Sequence, residues 1–174
     1  MADAVRGIAA VLGGGPSLPG DLARVPQGAV LIAVNHHALR LCEPEYLVYM
    51  DDPAKVPELA AALLHFRGLR INPKTERSDI ALPKGELWDG GFSSTLATWF
   101  ALWMGFERVV LCGMDLYQGE RKYFYERDFY HPVFDAPLEN HLRAWRLAFK
   151  HCPHPERIRA MSGPLTEVFG AFDG

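Results

Sequence analysis

Three groups of side chains in this sequence have the types and spacing to do chemistry. The first lies in SSTLATWFALWMGFERVVLCGMDLYQGERKYFY, residues 93–125. It reads as a serine-bearing helix start, an apolar helix, a strand and Gly113, then Asp115, Tyr117 and Tyr123. Tyrosine hydroxyls can donate to a phosphate oxygen that gains charge as it leaves. His131, a little further on, can move a proton near neutral pH. The second group is the turn Gly13-Gly14-Gly15-Pro16-Ser17 behind the first apolar run. Glycines let the backbone approach a ligand, and the helix that follows offers free N–H groups to an anion. A side chain at Gly15 is therefore expected to fill ligand space. The same turn serves equally as a tight strand–helix connection. It lacks the GK[ST] of a Walker loop and is not a full dinucleotide fingerprint. The third group is Asn35, Asp51, Asp52, Ser93, Ser94 and Asp115, each at or across a turn from the end of an expected strand or helix. Asp51 and Asp52 have the hard oxygen donors to hold Mg2+ beside phosphate. Asp52-Pro53 serves equally as a plain helix cap.

A sheet is needed to bring these groups together. Ile8–Leu12, Val30–Val34, Tyr46–Met50, Leu69–Ile71, Arg108–Cys112 and Ile158–Met161 are short apolar runs and read as strands. Pro16 fits the first position of a helix. Pro53 opens a second helical pattern, with Val56, Leu59, Ala60, Leu63 and Leu64 on one face. Ser93 or Ser94 is expected to cap a third, which Gly105 ends. Trp99 and Trp103, on that helix, are expected in the core. Leu138–Phe149 is amphipathic, and Pro164–Phe172 closes the chain as a short helix. Strands alternate with helices, and most strands are continuously apolar. That pattern predicts an α/β protein: a three-layer α/β/α, Rossmann-like domain with a mainly parallel sheet. The strand ends then share one edge. The 73–92 and 114–135 segments are long loops, more often functional than idle, and 114–135 has the place of a reduced lid.

Composition narrows the partners. The 174 residues, 49% hydrophobic, fit one domain spanning 1–174. A net charge of −3 gives no broad basic field for nucleic acid. The apolar stretches fall far short of the roughly 20 residues of a membrane helix. The N-terminus, with an acid at position 3, lacks the charged and apolar regions of a signal peptide, so a cytoplasmic protein is expected. Cys42, Cys112 and Cys152 are too few and too far apart for a disulfide or zinc framework, and Cys112 reads as a small core residue. His36, His37, His65, His141, His151 and His154 read as turn or surface residues without metal spacing. Phe124, Tyr125 and Phe129 read as packing groups of the loop.

LGGGPSL, AVNHHAL, YMDDP and GFSSTLATWFALWMGFERVVLCGMDLYQGERKY together resemble the bacterial sialyltransferases that use CMP-sialic acid. The pattern is similar also to the motility accessory factors and the 6-hydroxymethylpterin diphosphokinase group, and AMSGPLTEVF resembles the tail of the latter. The likeness spans roughly residues 7–135 and is most specific over 93–123. It implies that Gly13, Gly14, Gly15, Pro16 and Ser17 approach a nucleotide. It implies donor contacts at Asn35, at Asp52 with Asp51 beside it, at Ser93 and Ser94, and near Gly113. It implies that Tyr117 and Tyr123 hold the departing phosphate and that His131 is the general base. Three departures stand out. Gly14 replaces an asparagine of the family's turn. Asp52 replaces a donor-site asparagine, which suits a metal–phosphate site better than a sugar contact. The Tyr123–His131 segment is much shorter than the family's acceptor lid. The implied function is a transferase using a nucleotide-activated donor, most like a CMP-sugar glycosyltransferase. The alternatives are a Mg2+-dependent, diphosphokinase-like phosphotransferase using ATP, and a minimal nucleotide-binding module without turnover. Mg2+ is the only cofactor raised, a nucleotide or nucleotide-sugar the expected ligand, and a homo-oligomer is compatible with the chain.

Overall fold

The structure, a computed structural model, describes residues 6–83 and 91–174. The acid at position 3 and residues 84–90 of the expected 73–92 loop lie outside the described residues. Six strands form one sheet: β1 (Arg6–Leu12), β2 (Val30–Val34), β3 (Tyr46–Val48), β4 (Leu69–Ile71), β5 (Phe106–Cys112) and β6 (Ile158–Ala160). All neighbours are parallel, in the order β4-β3-β2-β1-β5-β6. The chain builds outward from β1 to β4, then returns to the other side of β1 for β5 and β6. The order therefore reverses between β1 and β5. A crevice opens at such a reversal, beyond the carboxyl ends of the strands.

Side-chain alternation divides the core between two faces. Val11, Ile32, Val34, Val109 and Leu111 face one way. They pack against Leu96, Phe100 and Ala101 of α3 (Ser93–Trp103), Leu142 and Trp145 of α4 (Leu138–Ala148), and Phe169 of α5 (Thr166–Phe169). Ala10, Leu12, Ala33, Val110 and Cys112 face the other way, under Leu18 of α1 (Leu18–Leu22) and Ala38 of a 3₁₀ turn. Leu59 of α2 (Pro57–His65) covers Leu47 and Tyr49 on that same face. Ala9 to Leu12 are fully buried, so β1 is apolar without alternation. The three-layer α/β expectation is met, and the sheet is wholly parallel. Among the described residues no helix is long and apolar enough to cross a membrane.

Several local expectations need correction. Pro16 precedes α1, whose first turn carries Pro19 instead. α2 starts at Pro57, not Pro53, because Asp52 closes a separate turn by accepting from the Ala54 N–H at 3.2 Å. On this helix Leu59 is buried and Leu64 is 82% exposed, so the expected apolar face is only partly used. Neither Ser93 nor Ser94 caps α3. Phe92 holds the cap position, and the Ser93 hydroxyl instead accepts from the Met50 N–H at 3.1 Å. That bond ties the helix start to the end of β3. Trp103 is 40% exposed rather than core. Trp99 is half-buried, stacked on Phe149 at 5.5 Å. Gly105 does end the helical run, with φ +83.

Candidate functional site

A cleft of about 360 Å³ lies at the reversal between β1 and β5. Its walls are the turns after β1, β2, β3 and β5, the start of α3, the loop over 122–134 and one side of α4. Gly13, Gly14, Gly15, Asn35, Asp51, Ser93, Ser94, Gly113, Asp115, Tyr117, Tyr123 and His131 all line it. Pro16, Ser17 and Asp52 are not among its lining residues.

The glycine turn is shaped by the protein's own packing. Leu12 pairs with Cys112 across the two central strands, so the turns that follow run side by side. Gly13 N–H donates to the Cys112 carbonyl at 2.8 Å, and Gly15 N–H to that of Gly113 at 2.9 Å. A Cβ at Gly15 would fall on the Asp115 carboxylate and within 2.8 Å of the Gly113 carbonyl. A Cβ at Gly14 would lie 2.7 Å from the His37 ring. The expectation that Gly15 spares room for a ligand is therefore corrected: it spares room for Asp115. Ser17 belongs to the same scaffold. Its N–H and hydroxyl donate to Asp115 Oδ2 at 3.0 and 2.9 Å. Buried Asp21 accepts from the Gly113 N–H at 2.9 Å and the Ser162 hydroxyl at 2.8 Å. These bonds pin the β1 turn to the β5 turn.

The two adjacent aspartates diverge. Asp51 lines the cleft and accepts from the Asn35 amide at 3.1 Å. Asp52 pairs with Arg77 at 3.2 Å. The Ala54 N–H bond and the Arg77 charge hold its carboxyl below the usual range. The two carboxylates thus have separate partners, Asp51 in the cleft and Asp52 at Arg77. Among the described residues no three His, Cys, Asp or Glu side chains gather as a metal site.

Backbone strain converges on this cleft. Asn35, Leu116 and Tyr117 have φ of 54, 51 and 59 degrees. They are the non-glycine residues with positive φ among those described, and all three line the cleft. Each such conformation costs on the order of 1–3 kcal/mol and persists only where its surroundings enforce it. Here the left-handed pair turns the Tyr117 ring onto Phe134, 4.8 Å between centres. Tyr123 stacks on His37 at 4.7 Å. Burial pushes the Tyr117 hydroxyl up to about 12 and raises that of Tyr123 as well. Both are neutral hydrogen-bond donors at neutral pH.

Four cleft residues escaped the sequence reading: His36, His37, His141 and Arg127. The three histidines are buried at 6, 8 and 6% exposure rather than on the surface, although His36 and His37 do lie in a turn. His65, His151 and His154 are exposed, as expected. The left-handed turn at Asn35 folds the His36–His37 pair beneath the 122–134 loop, and no local pattern marks that. Their rings are 4.3 Å apart, and His37 Nδ1 lies 2.8 Å from the Tyr125 hydroxyl. Burial first, then the Arg127 charge, takes His36 down to about 4. Burial and then His36 itself take His37 to about 3. Burial also lowers His141. His131 is exposed, and its Nδ1 accepts from the Val133 N–H at 3.1 Å. That bond assigns the neutral ring's proton to Nε2.

The buried pair makes a testable pH dependence. In the unfolded chain these histidines titrate near 6.5, well above their folded values. Their contribution to stability is complete above 6.5 and is lost as pH falls through the range toward about 4. Asp79, drawn to about 2 by the Arg70 guanidinium, acts only below its ordinary 3.8. The melting temperature is expected to fall between about pH 7 and 4.5, and His36→Gln with His37→Gln should at least halve that fall. An undiminished fall in the double variant would assign the titration elsewhere.

With the geometry in place, solved structures supply the comparison. The chain is similar to the sialyltransferase CstII of Campylobacter jejuni, solved with the substrate analogue cytidine-5'-monophosphate. The TM-score is 0.63 at 12% identity, over 95% of this chain and 84% of that one. It is similar also to the monofunctional alpha-2,3-sialyltransferase Cst-I of the same organism. There the TM-score is 0.57 at 16% identity, over 98% and 82% of the two chains. At these identities the likeness establishes a shared α/β fold. No family model matches the chain, and no curated protein matches it in sequence.

Proposed function

We propose that the cleft binds a nucleotide-activated donor and transfers its activated group, as a CMP-sugar, sialyltransferase-like glycosyltransferase does. The observation that carries this reading is the convergence of Asn35, Leu116 and Tyr117, all strained, on the crevice at the strand reversal. The base and ribose sit near Gly13–Gly15 and Asn35. The phosphate meets Ser93, Ser94, Tyr117 and Tyr123. As the bond from the sugar's anomeric carbon to the phosphate oxygen breaks, that oxygen keeps the electron pair and the tyrosines donate to it. The acceptor oxygen bonds to the carbon, and its proton passes to His131. For Nε2 to take that proton, His131 must first switch tautomer and release Val133.

The second reading is phosphoryl transfer from ATP with Mg2+. It calls on Asp51, Asp52 or Asp115 to hold the metal; Asp52 is engaged by Arg77 outside the cleft and Asp115 accepts twice from Ser17, which leaves Asp51 as the freest carboxylate of the cleft. The third is a nucleotide-binding module without turnover. Isothermal titration with CMP, CDP, ATP and GTP, each with and without Mg2+, separates them. CMP binding without metal, with release of CMP from CMP-sialic acid on turnover, is the expected result. ATP binding only with Mg2+ would move the assignment to phosphoryl transfer. Binding with no product from any donor would leave the module.

A further inference from the structure

Arg127 is a cation of the cleft whose charge is poorly met. Its side chain is only 10% exposed. Its Nε is buried without a hydrogen-bond partner. One terminal nitrogen reaches the Glu58 carboxylate at 3.4 Å, well beyond the ~2.7–2.9 Å of a strong charge-assisted bond. Glu58 itself is 47% exposed. The guanidinium lies over the Phe129 ring at 4.2 Å and 5.1 Å from the centre of Tyr123. Ring stacking holds its plane while leaving in-plane donors to be met. A buried cation held this loosely is costly unless an anion completes it.

The neighbouring groups do not fill that role. Lys122, also at the cleft, donates its ammonium to the Tyr117 and Gly119 carbonyls, both at 2.8 Å. His36 is neutral and has both ring nitrogens buried without partners. It offers one donor and one acceptor, which suits a hydroxyl or a base edge rather than a phosphate. Tyr123 sits between Arg127 and His37, so an anion that meets the guanidinium also meets a phenol.

We propose that Arg127 binds the phosphoryl group of the ligand through its guanidinium fork, and that this group displaces Glu58. The inference rests on the nucleotide-donor reading of the cleft. It assigns the positive charge of the site to the loop over the cleft rather than to the glycine turn.

The test is titration of the full chain with CMP, cytidine and inorganic pyrophosphate. In the wild type CMP is expected to bind tighter than cytidine. Arg127→Gln should weaken CMP about 10- to 100-fold and leave cytidine unchanged. Arg127→Lys should restore only part, since an ammonium lacks the planar fork. Glu58→Gln should tighten CMP severalfold by removing the competing carboxylate. An unchanged CMP-to-cytidine ratio in Arg127→Gln overturns the proposal. If that variant does not fold, Glu58→Gln decides, and unchanged or weaker CMP binding there overturns it. Pyrophosphate separates the two readings. Arg127-dependent pyrophosphate binding without any nucleoside or nucleotide binding keeps Arg127 as the anion site and removes the nucleotide donor. A wild type that binds none of the three removes both.

Discussion

Tyr117→Phe combined with Tyr123→Phe is expected to lower kcat about 100-fold or more while changing donor affinity by only a few fold. Burial keeps both phenols protonated, with Tyr117 at about 12. They can therefore donate to the phosphate and do not repel it. Their value rises as charge builds on the departing oxygen, so their loss falls on the transition state rather than on binding. Phenylalanine keeps the packing, because both rings rest on Phe134, at 4.8 and 6.0 Å. It also keeps the backbone demand, since the left-handed φ of Tyr117 bears equally on either side chain. The measurement is release of CMP from CMP-sialic acid, with CMP affinity taken by titration. Unchanged turnover in the double variant takes the tyrosines out of the mechanism. A matched loss in affinity and turnover makes them ground-state binders.

Gly15→Val is expected to lower the melting temperature by roughly 10 °C, or to prevent folding. The new Cβ would meet the Asp115 carboxylate and the Gly113 carbonyl, 2.8 Å away. The carbonyl belongs to the backbone and has little room to retreat. If Asp115 moves instead, both Ser17 bonds to it are lost. The tie between the two central turns then loosens, and ligand binding goes with it. Gly20→Ala, in α1 with nothing within 4 Å of its Cβ, is the control and should leave the melt unchanged or slightly higher. A Gly15→Val protein that melts like the wild type yet no longer binds CMP would restore the view that this glycine makes room for ligand.

What the amino-acid order determined by itself was everything decided within a few residues. Short apolar runs bounded by glycine or polar turns were enough to locate all six strands, and their lack of alternation to show a parallel sheet covered on both faces. The polar residues at the strand ends, from Gly13 to Tyr123, were likewise legible. A parallel sheet must bring such ends to one edge, and twelve of the fifteen candidate site residues line one cleft. What only the tertiary structure decided was the state of each group there. Ser17 meets Asp115 across 98 positions, His37 meets Tyr125 across 88, and Arg127 meets Glu58 across 69. Burial and pairing set charge, and both come from such distant neighbours. Three histidines read as turn or surface residues are therefore buried, and one aspartate read as a metal ligand pairs with an arginine. An arginine with no motif around it became a half-paired cation of the cleft, because the loop that carries it folds back over the sheet edge.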